Sequence, residues 1–228
     1  MTMWDPDDLT DDVVRDEDLD SEDGFDDEDD LEDLEDDDLD DDADDDLDDD
    51  GEDEDFDLDD AEDDEIDFCV ALYREDGVPT GIALEPDMAN DFEELIAYLQ
   101  RIPGDAGALG LVSLDSDVLV AVRVRGPRHV QVFVSDVYYV DTWPIVRDAV
   151  EFLDLDPDSA DVPEEGPVGD MSMFADQGVS EMDLEAMFMD AEDLTSEDVA
   201  EKIAQGMRCG AVFRKAVDDY WDVEEADE

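Results

Sequence analysis

ALGLVSLDSDVLVAVRVRGPRHVQVFVSD, residues 108–136, decides the fold. Three short apolar runs lie within it: Ala108 to Leu114, Val118 to Arg125 and Val130 to Asp136. Asp115-Ser-Asp117 and Gly126-Pro127 separate them, and those residue types favour turns. Valine-rich runs of this length, joined by short turns, read as consecutive antiparallel strands. Alternation along the middle run puts Arg123 and Arg125 on one face of the sheet and Val120, Val122 and Val124 on the other.

Upstream, Ile66 to Tyr73 (IDFCVALY) is a nearly continuous apolar run that ends at Arg74-Glu-Asp-Gly77. Asp-Gly is a turn signal, so Val78 to Glu85 returns as a second strand. A helix follows, with Asp87 as its expected N-cap after Pro86. Met88, Phe92, Leu95, Ile96, Leu99 and Ile102 form its apolar face, and Pro103-Gly104 stops it. Downstream, a second helix begins near Thr142, tolerates Pro144 in its first turn and turns Val146, Ala149, Val150 and Leu153 inward. The order β-β-α-β-β-β-α predicts an α+β fold: an antiparallel five-stranded sheet with helices on one face, in roadblock/longin-like order. Residues 66–155 form this sheet domain. Residues 156–168, with Pro157, Pro163 and Pro167, read as a linker. Residues 169–223 form a helical C-terminal region in which Ser180-x-x-Asp183 and Thr195-x-x-Asp198 resemble capping boxes. Its helices either make a small bundle or pack onto the sheet.

Charge divides the chain. Of 228 residues, 81 are Asp or Glu and 11 are Lys or Arg, a formal net charge of −70. Residues 1–65 hold 42 acidic residues and one base, Arg15, a net of −41. Such a segment buries too little apolar surface to offset the entropy of ordering it, so 1–65 is expected to be a disordered acidic arm. Residues 66–228 carry the remaining 39 acidic residues and ten bases, a net of −29. That balance argues against direct nucleic-acid binding, since phosphate is repelled at long range. Asp46-Leu-Asp48-Asp-Asp50-Gly51 matches the start of a calcium loop, but its eighth and twelfth positions are Asp53 and Asp57 and no amphipathic helix flanks it. The arm reads either as a solubilising tail or as a polyanion that engages a basic surface.

Cys69 and Cys209 make no disulfide framework and no metal-ligand rhythm, which fits a reducing compartment. The first residues carry neither a basic stretch nor an apolar one, and no run approaches the roughly 20 apolar residues of a membrane span. The expectation is a soluble, cytoplasmic protein. No nucleophile–base pair, metal set or cofactor motif stands out, so no catalytic, metal-binding or cofactor residue is assigned. His129 is the single histidine and reads as a surface residue. Cys69 reads as a small core residue, and Cys209, beside Arg208, as the more reactive thiol.

The one basic cluster joins Arg123 and Arg125 to Arg128 and His129 across a turn. It reads as an exposed sheet face beside a hairpin or as an anion-accepting contact for a partner carboxylate, a phosphate or the chain's own arm. In the last case the arm folds back weakly on 123–129, favoured by high effective concentration.

Phe68-Cys-Val-Ala-Leu-Tyr-Arg-Glu-Asp-Gly77, Gly107-Ala-Leu-Gly-Leu-Val-Ser113, Arg123-Val-Arg125, Val134-Ser-Asp136, Trp143-Pro144 and Gly169-Asp170 together resemble the tRNA adenosine deaminase-associated proteins of actinobacteria. The resemblance spans about residues 66–221, and the acidic arm departs from its pattern. It implies association with the deaminase and transfers no catalytic residue. The expected function is a non-enzymatic accessory protein that associates with a tRNA adenosine deaminase and tunes its access to tRNA. The alternatives are an interaction or structural domain unrelated to the deaminase, and an enzyme of unknown type.

Overall fold

The turn signals fall where the chain turns. A computed structural model describes residues 58–157, 159, 162–189 and 194–227. The chain divides into Met1–Glu52 and Asp53–Glu228, and the second unit is described here by itself. The calcium-loop look-alike at 46–57 and all of the acidic arm before residue 58 lie outside the described residues.

Asp76-Gly77 carries the chain from β1 (Ile66–Glu75) into β2 (Val78–Ala83) with φ of +51° and +76°. β3 (Ala108–Leu114), β4 (Val118–Val124) and β5 (Val130–Val134) follow as an antiparallel meander, and β3 lies beside β1. Two helices interrupt the strand sequence, α1 (Phe92–Leu99) after β2 and α2 (Pro144–Phe152) after β5. The expected order β-β-α-β-β-β-α is therefore present, with one strand more than expected. Val168–Gly169 forms β6 on Phe133–Val134, so the sheet has six strands in the order β2-β1-β3-β4-β5-β6. The proline-rich stretch read as pure linker ends in that strand.

Helix starts follow hydrogen bonding more than composition. Asp87 sits in a short 3-10 turn, Pro86–Ala89, and Asp91 is the N-cap of α1, accepting the Glu94 N–H at 2.7 Å. The reason lies one residue earlier. Asn90 turns its side chain backwards, accepting the Ala61 N–H at 2.8 Å and donating to the Ala61 carbonyl at 3.0 Å. That clamp delays the helix and draws Ala61 into the core at 6 % exposure, so ordered packing starts before Ile66. Both downstream capping boxes form: Ser180 with Asp183 at the start of α3 (Glu181–Met189), and Thr195 with Asp198 at the start of α4 (Ser196–Gly206).

The sheet is covered on both faces, not on one. One face carries Cys69, Ala71, Gly110, Val112, Val120, Val122, Val132 and Val134 and lies beneath α1 and α2. Gly110 lies directly below Leu95 and Leu99 of α1. The other face carries Phe68, Val70, Leu72, Leu111, Ala121 and Phe133. α4 and α5 (Gly210–Asp227) cover it, with Phe213 of α5 edge-on to Phe68 at 5.4 Å. Phe174 packs edge-on against Phe133, and Phe188 packs on the same ring at a tilt. Of the two placements open to the C-terminal helices, they take the one on the sheet, and their apolar side chains join its core. Asp67 ties the seam: it accepts the Ser113 hydroxyl at 2.8 Å, while Ser113 meets Ser196 at 2.7 Å. This double cover explains why Val118–Val124 is buried at every position, Arg123 included: a strand under helices on both sides has no face open to solvent. Among the described residues no helix is long and apolar enough to cross a membrane.

Candidate partner-docking surface

Two places on this scaffold gather charge, one on each face of the sheet. The first is the corner where β4, β5 and the segment 169–178 meet. Two glycines shape it. Gly107 (φ +85°) and Gly169 (φ +101°) lie so close to the neighbouring strands that a Cβ would stand 2.1 Å from the Val124 carbonyl and 2.3 Å from the Val132 carbonyl. Only glycine allows both the backbone angle and the approach.

Arg123 points into this corner and is 1 % exposed. Its Nη2 donates to Asp176 Oδ2 at 2.8 Å and to the Ala106 carbonyl at 3.3 Å. Its Nη1 donates to the Met173 carbonyl and to Asp176 Oδ1. The bidentate pair holds the Asp176 carboxyl below the usual carboxylate range, chiefly through the Arg123 hydrogen bonds. Gln131 and Ser172 both donate to Asp170. Lost hydration raises the Asp170 pKa, but those hydrogen bonds and the Arg125 charge outweigh it, and the carboxyl is lowered. The corner is therefore a clasp that fastens 169–178 to the sheet.

The three arginines of the expected anion contact part company here. Arg123 is enclosed, both of its terminal nitrogens are engaged and its buried Nε has no partner among the described residues, which corrects the expectation of an exposed sheet face: 169–178 lies over it. Arg125 and Arg128 are exposed at the β4–β5 turn. Arg125 lies 3.8 Å from Asp176 and its Nη2 meets His129 Nε2. Arg128 makes no ion pair among the described residues. The arm proposed to reach this patch lies outside the described residues before residue 58.

The second place is a groove of about 720 Å3 between α1 and α2. α1 rests on β3 and β4 while α2 rests on β4 and β5, and the helices leave a gap between them. Phe92, Ile96, Ala97 and Phe152 supply its apolar surface, and Asp91, Glu93, Asp148 and Glu151 its charge. No basic residue lines it. Lost hydration, then repulsion from Glu151, Asp91 and Glu93, pushes the Asp148 carboxyl above the usual range, against a smaller opposing effect of Arg147. Sequence reasoning missed this site. Its acidic residues come from helices far apart in the chain, and in so acidic a sequence no local signal marks them.

The thiols are not activated. Burial pushes Cys69 up to about 12. Cys209 is raised as well, because burial outweighs the cation beside it. That cation is Arg74, whose Nη2 lies 3.6 Å from Sγ, and not the sequence neighbour Arg208. Among the described residues no three or more His, Cys, Asp or Glu side chains are grouped to hold a metal ion.

No curated protein and no solved structure matches this chain. A family described as Rv3753c-like tRNA adenosine deaminase-associated protein matches residues 67–210, well over half of it. The match covers the sheet, both glycine approaches, the Arg123–Asp176 clasp and the groove. The chain belongs to the Rv3753c-like tRNA adenosine deaminase-associated protein family.

Proposed function

We propose that this protein is a non-enzymatic accessory protein that associates with a tRNA adenosine deaminase and tunes its access to tRNA. The family is described by its association with the deaminase, not as a deaminase. One structural observation carries the reading furthest: the α1–α2 groove combines an apolar surface with four carboxylates and no base. An enzyme that grips tRNA needs a positive surface for the phosphates, and an acidic partner competes for that surface. The arm, with a net charge of −41, adds a long-range attraction of the same sign.

Attraction of this kind weakens with salt, because exposed charges beyond about 8 Å are screened at physiological ionic strength. The test is a calorimetric titration of the full chain into the deaminase encoded by the same genome, at low and near-physiological salt. Saturable binding that weakens as salt rises supports the proposal. No heat at either salt overturns it and leaves an interaction or structural domain with no tie to the deaminase.

A further inference from the structure

We infer that the groove between α1 and α2 is the seat for a cationic amphipathic helix of a partner protein, its apolar side chains on Phe92 and Phe152 and its Lys or Arg side chains on the acidic rim. This deepens the accessory reading and rests on it only for the identity of the partner.

The apolar half of the argument is Phe152. It is 46 % exposed at the end of α2, with its ring 5.5 Å from that of Phe92, which is 3 % exposed. An exposed aromatic on an otherwise buried pair, facing a cleft, marks surface left for a partner. The groove's volume, about 720 Å3, lies within the roughly 300–1,000 Å3 typical of binding clefts.

The charged half is the rim. Asp91 spends one oxygen on the Glu94 N–H, and Glu151 has Arg147 Nε at 3.5 Å. Glu93 and Asp148 make no ion pair among the described residues. Like charges held this close raise the free energy of the empty site, and a cation laid among them relieves it. The sign disfavours an acidic occupant. A purely polar cation leaves Phe152 uncovered, so the occupant carries apolar side chains beside its charges. That combination is the face of a basic amphipathic helix.

The test uses the full chain, nitrogen-15 labelled, and a synthetic helical peptide of about 15 residues with Leu at i, i+3, i+4 and i+7 and Arg elsewhere. Three variants are compared with the wild type. Asp148→Asn with Glu151→Gln removes rim charge. Phe152→Ala removes the exposed ring and leaves all charges in place. Glu181→Gln with Glu185→Gln removes the same charge from exposed positions of α3, away from the groove. The expected result is a loss of about fivefold or more in affinity for each groove variant and under twofold for the α3 control. Amide shifts are expected to concentrate at 90–100 and 148–152. Equal losses in groove and control variants, shifts spread over the acidic surface, or no effect of Phe152→Ala each overturn the inference. Running the deaminase in parallel separates the two claims. A peptide seated in the groove with no deaminase binding fails the accessory reading alone. Deaminase binding indifferent to the groove variants, with a peptide that does not select the groove, fails this inference alone.

Discussion

Asp176 and Asp148 sit on opposite faces of one sheet and are treated in opposite ways. At the corner, a carboxylate from the loop meets a buried arginine from β4, and its pKa falls. In the groove, a carboxylate meets lost hydration and three more carboxylates, and its pKa rises. The first arrangement lowers the energy of the folded chain and explains why 169–178 lies where it does. The second costs stability and has no counterpart in the packing. A fold keeps charges paired where they build it, and a cluster in which Glu93 and Asp148 make no ion pair among the described residues is where a cationic partner has something to gain.

Four substitutions test that contrast, from the largest effect to the smallest. Arg123→Met removes the buried end of the clasp with its hydrogen bonds to Asp176 and to the Met173 and Ala106 carbonyls, and urea unfolding should show a loss of about 3 kcal/mol, since hydrogen bonds made by a charged group contribute about 1.5 kcal/mol or more each. A change under about 0.5 kcal/mol would mean that the clasp is not structural. Gly169→Ala forces a Cβ against the Val132 carbonyl at a positive φ and should cost about 2 kcal/mol, with the largest changes in amide exchange at 169–178. Unaltered exchange there would separate the glycine from the clasp.

Asp176→Asn should cost about 1 kcal/mol at neutral pH, a figure reduced because its side chain is half exposed. The pH dependence has a fixed sign. The folded pKa of Asp176 lies below its unfolded value of about 3.9, so its contribution is present above that value and is lost as pH falls through the folded one. The variant's stability should therefore fall less steeply than the wild type's on the acid side, and parallel curves would exclude the ion pair as the cause. Asp148→Asn should do the reverse and stabilise at neutral pH by a few tenths of a kcal/mol, since Asp148 is exposed and screened. That gain should vanish as pH falls through the raised folded pKa of Asp148, where the wild-type carboxyl is itself protonated. A destabilised variant would show that the groove's carboxylates are not in conflict.

Most of the scaffold was legible in the sequence. Five strands, the apolar stripes of the helices and two capping boxes were readable because each rests on signals a few residues apart. The sixth strand was not, since Val168–Gly169 is too short for a pattern and forms only because Phe133–Val134 offers a free edge. Asp87 and Asp91 are equally good caps by type, and Asn90's bond to Ala61, 29 residues upstream, chose between them. Arg123 misled for a related reason. Alternation located its face correctly, yet whether that face meets water depends on a segment that returns 50 residues later. The uninterrupted run Val118–Val122 was the better guide, because a strand with one open face does not spend apolar residues on both.

The candidate site divides along the same line. Sequence by itself determined the charge: its sign, its concentration in the first 65 residues, and the scarcity of bases to neutralise it. It also determined the local elements, whose hydrogen bonds close within a few residues. Only the tertiary structure decided which charges are spent and which are free. Asp176 stands 53 residues from the arginine that satisfies it. Asp91 and Asp148 come together only because α1 and α2 lie on the same face of the sheet. Pairing and repulsion fall off within a few ångströms, and no sequence distance measures that separation.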